Sequence, residues 1–308
     1  MKITAKNYAA QAEKYLLNAI KNYPIDELEK NLIKNRFLYK IKDAIHFSVP
    51  DNGTIFDDNL KGIRGEELRL PFPTITIEYT SVELHENIND GYDKSSKRLI
   101  FATELTKDEV KSWYGNITRN YDLGDKCICI FTAYFIDKYN TWEFSPFGFV
   151  IPTKWDTQNF LRTKGENGIF GNLIILSNDI LKLCNVKTKE DFDKLSNECC
   201  EESNILLEFL EAISCSNVGY KPIEEINHKL NIKRINQGKL PFYETYTLVI
   251  DSKEITESSN TFGGTHRSPR QHLRRGHIRR LPTKKVWVNS AIIGNSKNGI
   301  IQKDYAVI

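Results

Sequence analysis

No stretch of eighteen apolar residues occurs in this chain of 308 residues, so no membrane-spanning helix is expected. The N-terminus, MKITAKNYAAQAEKYLL, lacks the continuous apolar core of a secretory signal, because Gln11, Glu13 and Lys14 interrupt it. The expected location is therefore a cytoplasm. Six cysteines (Cys127, Cys129, Cys184, Cys199, Cys200 and Cys215) are too few for a disulfide framework. Most lie in apolar segments and read as buried thiols. The phosphate loop GxxxxGK[ST], the dinucleotide fingerprint, HExxH, GxSxG and paired CxxC knuckles are all missing. These absences weigh against a nucleotide hydrolase, a standard oxidoreductase or a zincin, and neither a cofactor nor a metal is expected.

Acid is also scarce at the end of the chain. Residues 261–308 hold six Arg and four Lys against one acid, Asp304, a net +9, whereas the other 260 residues carry 33 bases and 39 acids, a net −6. Such asymmetry points to an anionic partner for the basic part, or to neutralisation by acids of the same protein.

The composition, 40% hydrophobic and 27% charged, suits a globular chain with a substantial core. Helical periodicity covers residues 5–22, with Ala9, Ala12, Leu16, Ala19 and Ile20 on one stripe, and Pro24 ends it. A second helix is expected from about Asp26 to about His46, and an Asn-Gly turn at 52–53. LRLPFPTITIEYTS alternates Ile75, Ile77 and Tyr79 with Thr74, Thr76 and Glu78, a strand entered through Pro71 and Pro73. KRLIFATEL, CICIFTAYFID and TWEFSPFGFVI read as further strands, the last two joined as a hairpin across Lys138–Asn140. Helical spacing returns over Glu190–Ser216, and a short helix in IEEINHKLNIKRIN stops at Gly238. ETYTLVID is a strand, and QHLRRGHIRRL, KKVWVNSAII and GIIQKDYAVI close the chain as three more, with GNSKNG as a turn. The expected class is α+β: N-terminal helices, a central antiparallel sheet, a helical middle and a small C-terminal β module. The expected divisions are a helical segment over 1–50, serving as an oligomerisation arm, a central domain over 51–251, a loop over 252–265, and a basic β module over 266–308 packed on the central domain.

Three constellations could carry chemistry. Cys127 and Cys129, two apart on a strand, face the same way, but CxC and the Cys199–Cys200 pair are not the usual zinc spacings. Asp51, Asp57, Asp58, Glu66, Glu67 and Glu78 could hold a divalent ion; solvated loop acids are the plainer reading. The third is the segment holding His266, Arg267, Arg270, His272, Arg274, Arg275, His277, Arg279, Arg280, Lys284 and Lys285. Arginine grips phosphate or carboxylate with a planar fork, so this segment reads as a surface for nucleic acid or an acidic protein face. Two other readings stand beside it. His272 or His277 could serve as the base of a metal-independent ribonuclease whose arginines hold the phosphate. Alternatively, the cluster is structural, its arginines paired with the acids of Asp51–Glu67.

GGTHRSPRQHLRRGHIRRLPTKKVWVNSAIIGNSKNGIIQKDYAVI resembles the C-terminal end of a family of phage and prophage proteins, whose endings read H-x-SPR-x-H-x-RRGH-x-R-x-L, then WV, then KDY-x-V. LNIKRINQGKLPFYETYTLVID and LRLPFPTITIEY are similar to that family's LN-x-x-R-x-x-x-G-x-x-P and LPFP-strand segments. The resemblance implies a viral or integrated-virus gene in an infected or lysogenic bacterial host, but no activity. It also implies an accessory role by binding, of the counter-defence kind. The partner would be a host defence protein that processes nucleic acid, or nucleic acid itself, and the protein would be a homo-oligomer rather than an enzyme.

Overall fold

The structure is a computed structural model that describes residues 5–55, 68–82, 94–114, 125–153, 172–175, 188–191, 201–250, 270–274, 277–288, 291–293 and 295–300. The expected loop 252–265, the end of the chain from 301, Asp57, Asp58, Glu66, Glu67, Cys184, Cys199 and Cys200 lie outside the described residues. The chain forms two compact units. The first comprises Met1–Ile55, Gly62–Leu210 and Lys221–Thr247, the second Phe56–Lys61, Glu211–Tyr220 and Leu248–Ile308.

The fold is α+β. Helices α1 (Tyr8–Ala19), α2 (Glu27–Ile33) and α3 (Tyr39–Ile41) come first, followed by strand β1 (Ile45–Ser48). Asp26 caps α2, its carboxylate accepting from Glu29 N at 2.7 Å. A π-helical stretch, Lys34–Leu38, separates α2 from α3, so the expected second helix is interrupted and ends before β1. Strands β2 (Thr74–Thr80), β3 (Ser95–Thr106), β4 (Lys126–Ile136), β5 (Thr141–Pro152) and β6 (Asn172–Ile175) follow, with helix α4 (Lys107–Tyr114) between β3 and β4. Helix α5 (Glu201–Ile213), strand β7 (Val218–Pro222), helix α6 (His228–Asn236) and strand β8 (Thr245–Ile250) come next.

These strands form one eight-stranded sheet, ordered β6-β5-β4-β3-β2-β1-β8-β7. From β2 to β6 every pairing is antiparallel, and β4 and β5 meet as the expected hairpin, with Ile136 opposite Thr141. β1 departs from that pattern, lying between β2 and β8 and parallel to both.

The central strands are covered on both faces, which is why CICIFTAYFI reads as an almost unbroken apolar run. On one face, Ala9, Ala12, Leu16 and Ile20 of the first helical segment pack with Phe37, Leu38 and Ile41 against Leu99, Phe101, Cys129, Phe131 and Val150. On the other, Phe209 of α5 meets Phe47 of β1 with ring centroids 4.8 Å apart. Cys127 and Cys129 are buried free thiols in the core of the first face, and burial pushes Cys127 up to about 12. The Asn-Gly turn is real: Asn52 and Gly53 have φ of 60° and 68°, and Ile205 Cδ1 stands only 2.4 Å from where a Cβ of residue 53 would be. A side chain there would have to displace Ile205 and hold a left-handed φ, which glycine does without strain.

In the second unit, β9 (Arg270–Arg274) lies between β12 (Ala291–Ile293) and β13 (Asn295–Ile300), and β10 (His277–Arg280) pairs with β11 (Lys285–Val288). Three expectations change here. QHLRRGHIRRL and KKVWVNSAII each hold two strands that belong to separate sheets, and most of the expected turn GNSKNG is part of strand β13. Asn295–Ile300 is taken up by parallel pairing with β9, a distant partner that local turn chemistry does not reveal.

Candidate functional site

The eleven basic residues singled out in the sequence divide into groups. Arg270, His272 and Arg274 lie on β9, His277, Arg279 and Arg280 on β10, Lys284 in the turn that follows, and Lys285 at the start of β11. His266, Arg267 and Arg275 lie outside the described residues. His272 and His277, the two candidate bases, belong to different sheets.

The hairpin β10–β11 is built by a tight turn. Leu281 N donates to Lys284 O at 2.8 Å around Pro282-Thr283, and proline supplies a preset φ for the first central position. Its register places Arg280 opposite Lys285, two like charges on neighbouring strands. What makes that tolerable is Glu211 near the end of α5, whose side chain is fully buried. Arg280 Nη2 donates to Glu211 Oε1 at 2.5 Å, and Lys285 Nζ donates to Glu211 Oε2 at 3.1 Å and to Ser214 Oγ at 3.3 Å. Burial raises the Glu211 carboxyl and the Arg280 guanidinium beside it pulls it back. Burial likewise lowers the Lys285 ammonium. Arg280 and Lys285 therefore serve the fold of the second unit. Arg279, Arg280 and Lys284 are all exposed.

Among the described residues, Glu211 pairs with these cations; of the acids of Asp51–Glu67, only Asp51 lies within them. Asp51 itself pairs with Lys6 at 3.2 Å. Glu211 gave one sequence signal: it is an acid inside the apolar stretch FLEAI, where a helix otherwise turns its hydrophobic face inward.

A second polar cluster, in the first unit, was not foreseen. Glu78 is not a loop acid. Its carboxylate is buried on β2 and accepts the backbone N–H groups of Lys6 (2.8 Å), Asn7 (3.2 Å) and Tyr8 (2.7 Å) at the start of α1. Asn7 holds a left-handed φ of 57° there, which asparagine tolerates better than most residues. Burial raises the Glu78 carboxyl, and the three N–H groups oppose that rise. Asn7 also donates to Pro241 O (3.0 Å) and accepts from Tyr243 N (3.0 Å). The Tyr243 hydroxyl donates to Glu13 Oε2, and its ring stacks on His46 at 4.7 Å. His46 Nδ1 lies 2.7 Å from Thr76 Oγ1.

His46 makes this cluster pH-sensitive. It is 4% exposed, and burial pushes its pKa down to about 4 from 6.5. Between those values the unfolded chain binds the proton and the folded one does not. The His46 contribution is complete above pH 6.5 and is lost as pH falls toward 4, a total of about 3 kcal/mol. Glu13, Glu78 and Glu211, all raised by burial, act in the opposite direction over acid pH. The measurement is therefore a difference. His46→Phe, which keeps a ring against Tyr243, is expected to lose less stability than the wild type between pH 7 and pH 4 in urea titrations. Parallel pH profiles for the two proteins would remove His46 as the cause.

Among the described residues, no three His, Cys, Asp or Glu side chains converge as ligands of a metal ion, and no helix is long and apolar enough to cross a membrane. No protein-family model and no curated protein matches the chain. The chain is similar to the crystal structure of AcrVA2, at 10% identity over 92% of this chain and 86% of that one, with a TM-score of 0.33. Similarity at that level carries no argument about role.

Proposed function

We propose that the protein acts by binding, as a phage-type accessory protein of the counter-defence kind, and that the basic residues of its C-terminal strands engage nucleic acid. The observation that carries this reading is the gathering of exposed cations, Arg279, Arg280 and Lys284, on a stretch of chain where acid is almost absent; of these Arg280 also pairs with Glu211. Exposed arginine and lysine suit phosphate oxygens, which draw both types.

The test is fluorescence anisotropy with labelled single- and double-stranded DNA and RNA over a salt series. Wild-type affinity is expected to fall steeply with salt, by about one unit of log–log slope for each phosphate neutralised. Arg279→Glu is expected to weaken binding at least tenfold, about 1.4 kcal/mol, with an unchanged melting temperature. Wild-type binding by that variant, well folded, would count against the reading. Capture of a host protein from nuclease-treated lysate, lost in the same variant, would move the partner to an acidic protein face. RNA incubated with the protein in EDTA is expected to stay intact. Cleavage that disappears in His272→Ala or His277→Ala would replace binding with phosphoryl transfer.

A further inference from the structure

Helix α6 is fixed by polar bonds and leaves its aliphatic side chains in water. Asn231 Nδ2 donates to Phe242 O at 2.8 Å, and Phe242 N donates back to Asn231 Oδ1 at 2.9 Å. Arg234 Nε donates to Leu240 O at 2.7 Å, and its guanidinium lies 4.1 Å over the Phe242 ring. Gly238, at φ 70°, reverses the chain, its N–H bonded to Ile235 O. These bonds account for the Asn, Arg and Gly of LNIKRINQGKLP. They do not account for its aliphatic residues. No residue of α6 is buried: Leu230 is 46% exposed, Ile232 60% and Ile235 56%, and Phe242 beside them is 42% exposed. A helix this short gains most of its stability from burying an apolar face, and among the described residues α6 buries none. Ile232 and Ile235, three residues apart, share one side of it.

The charge along this stretch of chain is of one sign. From His228 to Phe242 the chain carries Lys229, Lys233, Arg234 and Lys239 and no Asp or Glu. A two-fold contact with a second copy would set Lys229 and Lys233 near their own images, which is repulsive. Nucleic acid would match the charge but leave the isoleucines wet. An acidic amphipathic helix satisfies both features, because it brings an apolar face and carboxylates together.

We propose that α6 and the turn after it are a docking surface for an acidic amphipathic segment of a partner protein. The partner's apolar side chains seat on Ile232 and Ile235, and its carboxylates meet Lys229 and Lys233. This surface belongs to the first unit and does not depend on the basic strands at the C-terminus.

The probes are two fluorescein-labelled peptides of about 16 residues, roughly four helical turns, with leucine at matching helical spacing. One carries glutamate at the remaining positions, the other lysine. The glutamate peptide is expected to bind, and the lysine peptide is not. Ile232→Asp with Ile235→Asp is expected to weaken binding at least about tenfold. Lys229→Glu with Lys233→Glu is expected to reverse the preference. Both variants change exposed side chains and are expected to melt with the wild type, which separates lost docking from lost folding. Four results overturn the proposal: absence of glutamate-peptide binding, equal binding of the two peptides, undiminished binding by the isoleucine variant, or unaltered preference in the lysine variant. Hydrogen-exchange protection of 228–242 by phosphatidylglycerol vesicles but not by the glutamate peptide would assign the face to a membrane. A dimer in sedimentation that the isoleucine variant dissolves would assign it to a second copy. Either result overturns the proposal as well.

Discussion

Replacing Glu78 by alanine is expected to destabilise the first unit by roughly 3 kcal/mol or more. The carboxylate holds three backbone N–H groups at the start of α1, and no side chain of α1 itself caps them. Each buried donor left without an acceptor costs about 1–3 kcal/mol. The loss spreads beyond the cap, because Asn7 also ties α1 to Pro241 and Tyr243. Glu78→Gln keeps one acceptor oxygen but turns an amide toward a donor, so its loss should fall between wild type and alanine. Urea midpoints at constant slope measure both variants. Hydrogen exchange should place the earliest-opening amides in the first turn of α1. A Glu78→Ala protein with the wild-type midpoint would show that water caps the helix equally well.

Removing both cations from Glu211, by Arg280→Ala with Lys285→Ala, is expected to cost about 3–5 kcal/mol, the range for a buried charge stripped of its partners. The side chain of Glu211 has no exposure of its own. Without the cations its folded-state pKa rises further above the unfolded value. The folded state then binds protons that the unfolded state has released, so the deficit is full at neutral pH and shrinks as pH falls below that raised pKa. Changing Glu211 to leucine in the same variant should recover most of the loss, because well-packed apolar groups replace a buried ion pair with little penalty. A double variant equally destabilised at pH 5 and pH 8 would indicate lost packing instead of a stranded charge.

Much of this fold was legible from periodicity. The stripe of α1, the strands β2 to β5, the 138–140 hairpin and the stop at Gly238 all depend on local patterning. What escaped depends on partners distant in sequence. Ile45–Ser48 was absorbed into the tail of a helix, although its identity as a strand comes from Ile75–Glu78 on one side and Thr245 and Tyr246 on the other. Glu78 and Glu211 looked like ordinary acids in a strand and a helix. Their roles come from the first turn of α1 and from a hairpin some seventy residues further along, |i−j| being 69 for Glu211 and Arg280. The basic segment was visible at once as charge. Which of its cations Glu211 holds was not, because that depends on a carboxylate the segment does not contain.

The position of β1 governs how the protein emerges from a ribosome. One edge of the strand finds β2 soon after synthesis, but its other edge must wait for Thr245, with His46 and Thr245 as Cα partners in the ladder. At typical elongation of about 5–20 residues per second, that interval lasts on the order of tens of seconds. Throughout it the nascent chain carries an open row of amides and carbonyls beside Phe47, a template on which another strand could add. Only the arrival of Thr245 and Tyr246 closes that edge.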